Sequence, residues 1–468
     1  MIALCAAALM TLQTPDPERD AAIREADAAI RAAVPVAAAD PNRPLYHYRA
    51  PAQWMNDPNG PIFYKGWYHL FYQSTPTSAD SGVKYWGHAR SRDLVHWEDL
   101  PTALWPSVSQ GENSIWSGSV FPRGDGKPVA FYTSIGDRRE PEQWMATPED
   151  DDLIRWRKEP LKITQAIHGA SPTAEWRDPF LFNDFGLTYM VTGGGQNGRG
   201  VVNLYKATSP DLKNWQYLGV MFTHPDADVR NVECPNLVQV NGKWVLLTSV
   251  HGRVEAFVGE LRNTTFVSER RSVLGDGSYA SQIFAGIPDR AVEMAWVNVS
   301  GHKGWNGYLT LPSELRLAKN GALLLQPVKE LTKLRGNKTS LPNSSLEGTL
   351  AAPEGETMEI EATIEPSTAR RVGLRLGSGA FEVAYDPDTG KLSVGGLSTD
   401  VPGWSVAKGL KLRVFLDRTA CDVYAGDGAT TLVAHVDRVK GREASFFAEG
   451  GTAKLRNVAV YPISIDRK

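Results

Sequence analysis

Acids set beside prolines are the first pattern in this sequence that carries chemistry. Asp57 stands directly before Pro58 in Trp54-Met55-Asn56-Asp57-Pro58-Asn59-Gly60-Pro61. The aromatic and β-branched run 62–73 that follows reads as a hairpin turning at Lys65-Gly66. Asp178 precedes Pro179 and a hairpin turning at Gly186; Glu233 stands two residues before Pro235 and a hairpin turning at Asn241-Gly242. The hairpin glycine comes nine, eight and nine residues after Asp57, Asp178 and Glu233. Proline fixes φ and gives a ladder no N–H, so each acid is pinned at the entry of a strand. A fourth copy, Trp116-Ser117-Gly118-Ser119-Val120-Phe121, turns at Gly124-Asp125-Gly126 with Ser117 in the slot. One Asp-Pro-Asn-Gly alone is an Asx-type turn; recurrence is what gives the acids meaning. If the hairpins are equivalent units, the three carboxylates occupy equivalent positions and converge on one axis.

Two carboxyl groups facing one bond across a channel are what glycoside hydrolysis requires. One stays ionised as nucleophile and the other gives a proton to the leaving oxygen. A third can stabilise oxocarbenium charge or hold ring hydroxyls. A ring of carboxylates on an axis can also hold a calcium ion, so the residues alone leave both chemistries open.

The elements that must position these acids are strands. From about residue 45 to 335, short aromatic runs alternate with Gly, Asp, Asn and Pro, without a sustained helical period. Asp93-Leu94-Val95-His96-Trp97, Asp152-Leu153-Ile154-Arg155-Trp156 and Asp211-Leu212-Lys213-Asn214-Trp215 recur at a constant interval of 59 residues. A fixed period with one hairpin head per unit predicts a β-propeller, and the span holds about five such units. Gly193-Gly194-Gly195-Gln196-Asn197-Gly198 matches a dinucleotide loop but precedes a strand, not a helix, so it reads as a plain loop. Residues 336–345 read as a polar linker, and 346–468 as a β-sandwich whose acids lie on solvated strand faces. Ahead of the propeller, Asp16 and Pro17 start a helix with Ile23, Ala26, Ile30 and Val34 on one face, ended by Pro35. Residues 16–44 are thus a helix and lead-in. The apolar residues 1–15 read as a shortened signal peptide, which predicts a secreted or periplasmic protein.

Composition narrows the partners. A net charge of −3 gives no reason to expect nucleic acid or an anionic membrane, and no run is long enough to span a bilayer. Three scattered cysteines make neither a disulfide framework nor a zinc site. Fourteen tryptophans suit the stacking of sugar faces as well as a core.

From about residue 45 to 463 the chain resembles glycoside hydrolase family 32, the invertase, inulinase and levanase group. The motifs that carry the resemblance are 54–60, Trp86-Gly87-His88-Ala89, Trp116-Ser117-Gly118-Ser119, Arg177-Asp178-Pro179, Glu233-Cys234-Pro235, 276–282, Leu311-Pro312-Ser313-Glu314-Leu315 and, in the sandwich, 417–424. The resemblance implies an all-β fold, a five-bladed propeller followed by a C-terminal β-sandwich, and retaining cleavage of β-fructofuranosidic bonds. It makes Asp57 the nucleophile, Glu233 the acid/base and Asp178 the transition-state stabiliser. Asn56, Gln73, Ser117 and Arg177 would bind the fructosyl unit, with Trp305 as an apolar wall. Retention implies Asp57 and Glu233 carboxyls roughly 5–5.5 Å apart. Neither a metal nor an organic cofactor is implied, and the partner is a fructose-containing oligo- or polysaccharide. The chain departs from the family at Gln73-Ser74-Thr75-Pro76, at the missing tryptophan before Gly82, and at Val232, Asn236, Ser313 and Asp422. These departures bear on the leaving-group pocket and hence on sucrose as substrate. A propeller arabinosidase or xylosidase, and a sugar-binding protein on the same scaffold, are the alternatives; transfructosylation would use the same residues.

Overall fold

A computed structural model describes residues 16–465 apart from 438 and 440. The segment read as a signal peptide, with Cys5, lies outside the described residues.

Five antiparallel sheets follow one another around an axis. Their innermost strands are Gln53–Tyr64, Ser114–Pro122, Ala174–Asp184, Glu233–Val240 and Tyr279–Ile283, and each blade then steps outward strand by strand. Innermost strands of adjacent blades touch, and the last meets the first, so the ring closes. Ala285 and Phe63 accept and donate across that closure, and Trp305–Asn306 pairs in parallel with Gln53 and Trp54. The Asp-Leu-x-x-Trp repeat leads into the outermost strand of blades one, two and three, at Trp97, Trp156 and Trp215. Its leucines adopt a left-handed conformation (φ 67°, 56° and 60°) and are buried, which turns the chain back onto the blade. The equal spacing is therefore the spacing of blades.

Strands from 339 to 462 form one hydrogen-bonded set of 11, wrapped around a second core. The 19-residue strand Ala444–Pro462 pairs with four others and joins the two faces of this sandwich.

Several local expectations need correction. The helix runs Pro17–Ala38 and passes through Pro35. Losing one N–H there is offset by packing: Ala37 is fully buried with Ala52, Trp305, Tyr308 and Ala420. The stretch 336–345 is not merely a linker, because Thr339–Leu341 pairs with residues 458–460; its exposed side chains left no apolar pattern to read. Gly193–Gly195 belong to a strand, and only Asn197-Gly198 make the turn. A Cβ at Gly193 would meet Val232 O at 2.1 Å, and one at Gly195 would meet Arg230 O at 2.3 Å. These glycines let the segment entering Glu233 lie directly on blade three. Finally, sandwich acids Glu359, Asp417 and Asp422 are fully buried rather than solvated, because they face residues outside the sandwich. Arg335 pairs with Glu359 (2.7 Å), and His47 sits between Asp417 and Asp422 (2.9 and 3.2 Å).

Candidate active site

Each innermost strand carries a one-residue bulge at the same place. Three residues on it oppose two on its neighbour at Met55/Pro58, Ile115/Gly118, Arg177/Phe180, Glu233/Asn236 and Tyr279/Gln282. A bulge leaves one residue unpaired and re-aims side chains. Proline suits the second bulged position in blades three and four, where no ladder N–H is needed. The sequence suggested equivalent positions for the three acids, but the strand registers place them at three different ones. Glu233 ends the regular pairing before its bulge, Asp178 is the first bulged residue of its blade and Asp57 the second of its own. Asp178 and Cys234, equivalent to each other, both have positive φ (59° and 46°).

Asp57 is held by a closed set of hydrogen bonds. Ser117 Oγ donates to its Oδ2 (2.6 Å) and Asn56 Nδ2 to its Oδ1 (3.1 Å). Asn56 also donates to Gln73 Oε1 (2.6 Å), Gln73 Nε2 donates to Ser117 Oγ (2.5 Å), and Trp54 Nε1 donates to Asn56 Oδ1 (2.9 Å). These side chains come from blades one and two, and the ring of bonds fixes the carboxylate's orientation.

Asp178 is buried and accepts the Cys234 backbone N–H at 2.9 Å. Burial pushes its carboxyl up to about 7 against the pull of Arg177, with Glu233 and Asp57 adding to the rise. The Cys234 thiol lies 3.5 Å from Asp178 Oδ2 and 3.7 Å from Asp57 Oδ2, which places the two acids on either side of one sulfur. Glu233 accepts from Tyr279 Oη (2.7 Å) and pairs with Arg177 Nη1 (3.3 Å). Arg177 also pairs with Glu175 and covers the Trp116 ring at 4.6 Å. The arrangement offers two carboxylates of different setting, a third that is buried, and a cation among them: the groups glycosidic cleavage needs.

The model of the glycosyl hydrolases family 32 N-terminal domain matches residues 47–327, and that of the family 32 C-terminal domain matches 330–462. The chain belongs to glycoside hydrolase family 32. It is 30% identical to a Bacillus subtilis levanase over 90% of this chain and 70% of that protein. It is 28% identical to an Escherichia coli raffinose invertase over 90% and 95%. A Bombyx mori family 32 beta-fructofuranosidase superposes with a TM-score of 0.80 at 27% identity, covering 95% of this chain and 98% of that one. This family 32 member is a glycoside hydrolase of the fructosidase type, with the five-bladed propeller and sandwich-like sheet its sequence resembled.

The fold gathers Asn56, Asp57, Gln73, Ser117, Arg177, Asp178 and Glu233 into one site. It does not bring Trp305 there: the ring is 1% exposed, its Nε1 donates to Asp40 (2.9 Å), and it stacks on His302. Sequence reasoning missed Cys234 and Tyr279 as partners of the acids, although both lie inside motifs that it quoted. It also missed Lys84, whose ammonium stands 5.2 Å from the centre of the Trp54 ring and bonds Ser81 (2.7 Å). Burial holds Lys84 down to about 8, with Asp57 pulling the other way. Of the family departures, Ser313 bonds Tyr424 and Asp422 bonds His47, both between propeller and sandwich. Asn236 ties Cys234 to Ser281 and Ile283. Val232 is fully buried against Gly193 and Gly200, so the departure nearest the Asp57 set is the stretch that begins at Gln73 and runs through Gly82.

Proposed function

We propose that this hydrolase cleaves fructans, levan or inulin, at β-fructofuranosidic bonds by retention, with Asp57 as nucleophile and Glu233 as acid/base. The observation that carries the roles is the contrast between the two carboxylates. Asp57 is locked by Ser117 and Asn56, as a nucleophile must be aimed; Glu233, on another blade, is held by Tyr279 and Arg177 instead. An Asp57 oxygen attacks the anomeric carbon as the bond to the leaving oxygen breaks, and Glu233 gives that oxygen a proton. Water, deprotonated by Glu233, then attacks the same carbon and frees Asp57. Asp178 and Arg177 hold fructosyl hydroxyls, with Asp178 supporting the oxocarbenium charge once ionised. Fructans are favoured over sucrose because the run Ser74-Thr75-Pro76 and the stretch through Gly82, which lacks a tryptophan, depart from the family's usual sequence, and because of the similarity to the levanase.

Release of reducing sugar from sucrose, inulin and levan tests this, with Asp57→Ala and Glu233→Ala beside the native protein. Asp57→Ala should lose at least about 10⁴-fold and Glu233→Ala about 10²–10⁴-fold. The Glu233 loss should shrink on an aryl fructoside, whose leaving group needs no proton. Equal losses on both substrates would reject Glu233 as the acid, and sucrose as the fastest substrate would reject the fructan preference.

A further inference from the structure

Away from the pocket, three polar side chains from separate parts of the chain meet at the seam between propeller and sandwich. His302 precedes the closing strand Trp305–Asn306, while His435 and Asp437 lie at and beyond the end of sandwich strand Thr430–His435. One ligand atom from each lies within 4.8 Å of the others. Asp437 Oδ1 is 3.4 Å from His435 Nε2 and 3.9 Å from His302 Nε2. Tetrahedral bonds of about 2.0–2.1 Å put neighbouring ligands about 3.3 Å apart, so the Asp437–His435 separation already matches a shared ion and small side-chain rotations would bring His302 to it.

Three of the four ring nitrogens, His302 Nε2 and both of His435, are buried with no hydrogen-bond partner among the described residues. The His302 side chain is only 8% exposed and that of His435 12%, so water does not readily serve them. The opposite nitrogen of His302 is already oriented: Nδ1 faces Asp40 Oδ2 at 3.0 Å, and Trp305 Nε1 donates to the same oxygen. A carboxylate behind a histidine, with its far nitrogen free and turned toward other ligands, is the support that metal-bound imidazoles have. Among the described residues the other convergence of this kind, His224, Asp226 and Glu255, differs in that Arg253 and Arg271 already neutralise its acids.

We propose that His302 Nε2, His435 Nε2 and Asp437 bind a divalent transition ion of the zinc type, with a fourth position open to water. Two imidazoles and one carboxylate favour zinc over calcium or magnesium, which take all-oxygen shells. The ion would fasten the lead-in at Asp40, the propeller loop at His302 and the sandwich to one another. Its role is structural and separate from the glycosidic chemistry.

Tag-free protein, stripped with chelator and dialysed, would be titrated with zinc chloride by calorimetry, and bound zinc counted by mass spectrometry. One equivalent is expected, with a rise in the thermal midpoint that calcium does not reproduce. Asp437→Ala and His435→Ala should each weaken binding at least tenfold. The Asp437 side chain is 77% exposed, so its variant will fold. Less than one-tenth equivalent on the native chain, or affinity within twofold of native in either variant, would overturn the proposal.

Discussion

Asp178 is a side chain whose folded setting opposes its own charge. Its carboxyl stands at about 7, against about 3.9 in an unfolded chain. Between those values the folded state keeps a proton that the unfolded state has lost. Stability therefore falls as pH rises from about 4 to about 7, and stays lowered above that. Asp178→Asn keeps an acceptor for the Cys234 N–H and removes the charge. It should raise stability at pH 8 by on the order of a few kcal/mol, leave pH 4 unchanged, and cost about 10²-fold or more in fructose release. Thermal melts at the two pH values check the first part; no gain at pH 8 would mean the charge is not opposed. The acids themselves were legible because each sits in a short motif with its proline. Lys84, Tyr279 and Cys234 were not, because their contacts cross blades and depend on ring closure, which leaves no local trace. Trp305 shows the converse: an indole is as good a core residue as a sugar platform, and only burial tells them apart.

At the scale of elements, the bulged inner strand is the device that makes the site. A regular strand would send successive residues to opposite faces, whereas the bulge lets three neighbouring positions serve one pocket from three blades. Hairpin heads and turns were readable from Pro, Asn and Gly; the bulge was not, because its signature is a register shift against a partner strand. The seam elements were also hidden. Glu359, Asp417 and Asp422 alternate along strands just as solvated acids do, and they are buried against His47, Leu311 and Arg335 from outside the sandwich and Arg413 within it. Both ring nitrogens of His47 face carboxylates, so the ring carries both protons. Burial alone would lower its pKa, but Asp422 and Asp417 outweigh that and hold it at about 9. Asp417 also accepts the backbone N–H groups of Leu45, Tyr46 and His47 at 2.7–2.9 Å. The folded value lies above the unfolded value of about 6.5. The stabilisation is thus complete below pH 6.5 and is lost as pH rises through about 9. His47→Gln should destabilise by about 3–5 kcal/mol at pH 6, because two buried carboxylates lose their cation. The variant's unfolding midpoint should also lose the native decline between pH 6.5 and 9. A decline of equal size in the variant would place it elsewhere.

For the whole molecule, the question is whether propeller and sandwich are two stabilities or one. The sequence divides cleanly into two textures, and that division hides how much the parts share. Phe415 and Tyr424 of the sandwich belong to the main propeller core. Thr431 Oγ1 accepts the Gly275 N–H at 2.8 Å, and Asp276 bridges to Leu432. With the His47 triad between them, exposing the sandwich alone would strand buried charge and apolar surface on both sides. The two parts should therefore unfold together. The chain supplies its own reporters: of fourteen tryptophans only Trp404 lies in the sandwich, so indole fluorescence follows the propeller. Cys421, fully buried in the sandwich, follows the other half through pulsed thiol labelling read peptide by peptide. In a urea series the two midpoints should coincide, and Cys234 labelling should coincide with both. Labelling of Cys421 at a urea concentration where fluorescence is still native would show the sandwich opening first, and the shared core would then not hold the parts as one. His47→Gln is the variant in which that separation should first emerge, since it removes the cation between Asp417 and Asp422 while leaving both cores intact.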